Sequence, residues 1–166
     1  MSEVEIARQQ IEFARSYTLT LLDGIADDQW FRIPAGASSH IAWQVGHLAM
    51  AEYGLCMFRQ RGRRSEDMEL MSGKFRKKFR KGSTPDPEAE NYPPHTEILE
   101  VFGQIHARAM EEIADYRDED LSEGIDEPYA VYPNKLGALF FCASHEMLHA
   151  GQIGMLRRLL GMSPVR

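Results

Sequence analysis

A chain of 166 residues with 43% apolar side chains has the size of one domain and enough apolar material for a core, so 1–166 is read as a single domain. The net charge of −6 argues against a general nucleic-acid partner. No stretch reaches the ~20 apolar residues that span a bilayer, and the charged opening MSEVEIARQQIEFAR lacks the apolar core of a signal peptide.

Four segments carry helical periodicity. In the first, about Ser2 to Asp27, Val4, Ala7, Ile11, Ala14, Thr18, Leu21 and Ile25 fall on one stripe, and Ser2 with Glu5 fits a capping box. The second comes after the FRIPAGASS loop, with Ser38 or Ser39 as cap and Ile41, Val45, Leu48, Ala49 and Cys56 as core candidates. Gly46 and Gly54 weaken its propensity and allow a close helix contact. The third runs from NYPPHTEIL to about Arg117, with Ile98, Phe102, Ile105, Ala109 and Ile113 facing inward. The fourth starts at the Asn134 cap and stops near Leu160, before Gly161 and Pro164. EPYAVYP, bounded by prolines, offers at most one short extended piece. The expectation is an all-α four-helix bundle with a long second connection.

Helix four is apolar on more than one face, through residues such as Met147, Leu148, Met155 and Leu159. A second buried face predicts a homodimer; cover by the 60–95 connection is the alternative. That connection is strongly basic. From Arg59 to Lys81 it holds ten of the nineteen Lys and Arg residues and three acids, giving +7 against −13 elsewhere. It is read as a solvated connection pinned by Phe75 and Phe79, with an anion contact as the competing reading. Arg157 and Arg158 suit the C-terminal end of the helix-four dipole.

The chemistry concentrates in HEMLHAGQIG, starting at His145. His145 and His149 share one helix face and can share one metal ion. HEMLH also matches the zinc-peptidase pattern, but neither His nor an acid comes after His149, so the peptidase's downstream third ligand is missing. A third ligand must lie upstream. Of His40, His47, His95 and His106, the mid-helix His47 with apolar neighbours is the best candidate. Glu146 is expected to face another helix or Arg157 instead of acting as base. Gln152 can hydrogen-bond in the pocket or pack against a helix, Trp43 can line the pocket or the core, and Cys142 reads as a small buried residue near the site. Cys56 and Cys142 form no C-x-x-C pair, which fits a reducing cytoplasm and leaves one long-range disulfide open.

WQVGHLA (Trp43 to Ala49) together with HEMLHAGQIGMLRRLLGMSP (His145 to Pro164) resembles the DinB-like, or YfiT-like, metalloenzyme family. The resemblance covers nearly the whole chain. It implies a four-helix bundle, often a homodimer, holding a divalent metal, nickel or zinc, on three histidines that correspond to His47, His145 and His149. It also implies a small-molecule substrate and a transferase or isomerase that uses a low-molecular-weight thiol such as bacillithiol, mycothiol or glutathione. Three histidine ligands leave open metal positions, so thiol activation and metal-dependent hydrolysis both fit. A purely structural metal in a dimeric bundle is the non-catalytic alternative.

Overall fold

Three of the four long helices are opened by a side-chain cap, each from a different residue type. The computed structural model describes residues 1–126 and 130–165. Its helices are α1 (Glu3–Leu22), α2 (Ile41–Glu52), the short α3 (Asp67–Leu70) and α4 (Gly73–Phe79), α5 (His95–Ile113) and α6 (Lys135–Leu159). Helix α2 runs on through a π-helical turn, Tyr53–Phe58, and one α-turn, Arg59–Arg61. Ser2 caps α1 by accepting from Glu5 N. The reciprocal half of the expected capping box is replaced: the Asp118 carboxylate accepts from Glu3 N and Val4 N, while Glu5 pairs with Arg8. Asn134 caps α6 as expected.

Two boundaries and one cap differ from expectation. Helix α1 ends at Leu22, because Asp23 turns extended and Gly24 takes a φ of 69°. Helix α5 ends at Ile113, four residues before Arg117. The α2 cap is His40 instead of a serine: its Nδ1 accepts from Trp43 N at 3.0 Å.

The stripes pack as the periodicity predicts. Ala7, Ile11, Ala14, Thr18 and Leu21 of α1 are buried, mainly against α6, and all five named α5 residues are buried. Val4 is only half-buried. Helix α2 packs on both α5 and α6. Among the described residues there is no strand, only an isolated bridge between Gly124 and Asn134. Of EPYAVYP, 127–129 lie outside the described residues, and the remainder is irregular. No described helix is long and apolar enough to cross a membrane.

The basic connection is pinned. Phe75 and Phe79 are buried, and Arg61 bridges Asp67 of α3 and Glu112 of α5 at 2.8 Å each. Its helices α3 and α4 lie on α5 and α2, so they do not cover α6, where Met147, Leu148, Met155 and Leu159 stay exposed. Arg157 does more than face a dipole: it is buried and donates to the Leu21 and Asp23 carbonyls, closing the C-terminal end of α1.

The His40 cap makes stability pH-dependent. Burial lowers its pKa to about 4, against 6.5 when unfolded. The unfolded chain therefore takes up the proton first. The stability His40 contributes is present above pH 6.5 and is lost as pH falls towards 4. Urea unfolding should lose about 2–3 kcal/mol more between pH 7 and pH 4 in the wild type than in His40→Asn, whose amide keeps the cap without titrating. Parallel curves would remove His40 from this account.

Candidate metal centre

Helix α2 presents His47, and α6 presents His145 and His149 one turn apart. The ring centroids lie 5.3 Å (His47–His145), 4.8 Å (His47–His149) and 4.5 Å (His145–His149) apart. One ring nitrogen from each falls within 4.8 Å of the others, a spacing that fits one metal ion. Among the described residues no other group of three His, Cys, Asp or Glu side chains does this.

Burial keeps all three imidazoles neutral. It lowers the pKa of His47, and with repulsion from the neighbouring histidines it lowers His145 to about 4 and His149 to about 3. Neutral imidazole is the form that offers a lone pair.

Two neighbours fix which nitrogen that is. Phe79 ends α4, so its carbonyl has no helical partner; it accepts from His47 Nδ1 at 2.8 Å. A carbonyl only accepts, so Nδ1 carries the proton and Nε2 is the nitrogen left with a lone pair to offer. His149 Nδ1 likewise donates to Gln44 Oε1. The Gln44 amide is itself oriented, because its Nε2 donates to Ser39 Oγ at 2.9 Å. Gln44 and the Phe79 carbonyl were not among the expected site groups.

Phe79 reaches this position because residue 46 is glycine. A Cβ there would lie 2.5 Å from the Phe79 ring. The close contact expected of Gly46 is therefore with α4. Trp43 stacks on His47 with centroids 4.8 Å apart and planes 7° apart, and its Nε1 donates to Ser83 Oγ.

Glu146 stands away from this centre. It pairs with Arg15 of α1 at 2.9 Å, not with Arg157. Arg15 also holds Glu52 at 2.6 Å, donates to the Phe102 carbonyl, and lies over the Phe102 ring. Burial pushes the Glu146 carboxyl up, with Arg15 opposing; burial acts the same way on Glu52, but Arg15 and His106 outweigh it and hold that carboxyl down. His106 touches Glu52 at 2.7 Å, and His95 stacks on Trp30 half-buried, so neither joins the centre, nor does the cap His40. Cys142 sits thiol to thiol with Cys56; both are buried and free. Gln152 is exposed at the pocket edge, which excludes its packing role.

The histidines line an open cavity of about 830 Å³, walled by Trp43, Met50, Leu55, Phe141 and Leu148. A family model described as the DinB superfamily matches residues 10–153, a span that includes all three histidines. No curated protein matches the chain.

Proposed function

Because the chain belongs to the DinB superfamily, we propose that it is a divalent-metal-dependent enzyme, a transferase acting with a low-molecular-weight thiol. The metal is held by His47, His145 and His149. The observation carrying this reading is the convergence of three neutral imidazoles at the wall of an open apolar pocket. Histidine donors suit nickel and zinc. Such an ion is a Lewis acid that lowers the pKa of a thiol or water reaching its open positions.

The chain's own residues do the rest. Phe79 and Gln44 hold the Nδ1 protons, Trp43 clamps the His47 ring, and the apolar wall excludes water from a bound substrate. Glu146, bound to Arg15, takes no part as a base. The reading includes a homodimer formed through the exposed Met147, Leu148, Met155 and Leu159, and a reducing cytoplasm that suits two free thiols.

Mass spectrometry of untagged protein should find near-stoichiometric nickel or zinc, with about a tenth or less left in His149→Ala. Wild-type protein that takes up neither ion after incubation would sink the metal centre. Turnover that needs no added thiol would shift the reading to hydrolysis.

A further inference from the structure

The hydrophobic pattern of α6 does not decide which of its faces turns inward. Leu139, Ile153 and Leu156 are buried, yet Met147, Leu148, Met155 and Leu159 of the same helix are exposed. A helix that is apolar on several faces can rotate about its axis at little apolar cost. Three imidazoles converging on one ion tolerate no such freedom. A rotation of about 20° moves a ring nitrogen roughly 6 Å from the axis sideways by about 2 Å, the length of a zinc–nitrogen bond.

Arg15 of α1 supplies a directional constraint. Its Nε donates to Glu146 of α6 at 2.9 Å and its Nη2 to Glu52 of α2 at 2.6 Å, while Nη1 donates to the Phe102 carbonyl of α5 at 2.9 Å. Glu146 directly follows His145, and Glu52 closes α2 five residues after His47. One planar guanidinium thus grips both histidine-bearing helices, and its rigid fork meets each carboxylate in one direction only. A buried ion pair adds little net stability over apolar side chains of similar volume; fixing registry is its best-supported use.

We propose that Arg15, through Glu146 and Glu52, is a positioning residue that sets the rotation of α6 against α2 and so aims His145 and His149 at His47. The proposal rests on reading those histidines as the metal centre. It gives the glutamate of HEMLH a task other than that of a base: it holds in register the helix that carries the two histidines.

The test compares the wild type with Arg15→Met/Glu52→Gln/Glu146→Gln, which removes all three charges together, and with Ile113→Ala, a buried site about three turns along α5 from Phe102. Zinc affinity is read by chelator competition. The arrangement of the rings in metal-stripped protein is read by NMR cross-relaxation between His47 and His149, whose centroids lie 4.8 Å apart. The folded triple variant should bind zinc about 10–100-fold more weakly and lose the cross-peak. Ile113→Ala should be less stable yet keep the cross-peak and a zinc affinity within about twofold. Arg15→Lys, which keeps the charge but not the fork, replaces the triple variant if that does not fold, and should lose about tenfold in affinity together with the cross-peak. A folded variant that keeps the cross-peak overturns the proposal, whatever its zinc affinity. So does an equal loss in Ile113→Ala, which makes the effect one of general stability. Wild type that binds no zinc, with the cross-peak present there and lost in the variant, supports the positioning role and sinks the metal reading.

Discussion

Arg15→Met should lower the unfolding free energy by about 3–5 kcal/mol, the largest stability effect expected of any single change in the bundle. Arg15 faces both Glu52 and Glu146 deep between α1, α2, α5 and α6, with side-chain exposures of 4%, 1% and 2%. Without it two carboxylates stay buried near each other and must take up protons or pull in water. Methionine fills much of the same volume, so the loss isolates charge from packing. Urea titration at pH 7 measures it. Adding Glu52→Gln and Glu146→Gln to Arg15→Met should recover a large part of the loss, because an uncharged cluster has no ion to desolvate. A triple variant as unstable as the single one would show that the arginine acts through its packing on Phe102 and not through charge.

Gly46→Val should cost about 1–3 kcal/mol of stability and weaken metal binding by about 10–100-fold. The new side chain meets the Phe79 ring, which is fully buried and has nowhere to swing. Helix α4 must shift, and the Phe79 carbonyl leaves His47 Nδ1. Valine is a better helix former than glycine, so propensity alone predicts the opposite sign of stability change. Competition with a chromogenic chelator reads the affinity, and thermal unfolding of stripped protein reads the packing. Unchanged affinity beside lowered stability would reduce α4 to a packing element.

Much of the site was legible because two signals were local. The i, i+4 pair His145 and His149 needs only helical periodicity, and His47 stands out by its apolar neighbours. The groups that orient those histidines left no such mark. The group that orients His47 is a backbone carbonyl, and any residue at 79 has one. Gln44 looks like a polar residue on an amphipathic helix until α6 is laid against it. Arg15 sits next to Ala14 at the edge of an apolar stripe and reads as a surface cation; its carboxylate partners are 37 and 131 residues away. Nothing in YGLCMF announces a π-helical turn, so the position of Arg59 was not readable. The caps divided the same way: Ser2 and Asn134 obey the usual chemistry, while His40 does a serine's work with a ring nitrogen.

The pairing of α1 with α6 also has a consequence for how the chain is made. Arg15 and Glu146 are separated by 131 residues, so at roughly 5–20 residues per second the ribosome adds the partner roughly 7–26 s after the arginine. Helix α1 closes its own first turns in well under a millisecond. For most of synthesis α1 therefore lacks the α6 surface it packs on, and its Ile11 stripe is open to chaperones and to other nascent chains. The α1–α6 pairing cannot close until α6 itself has been translated.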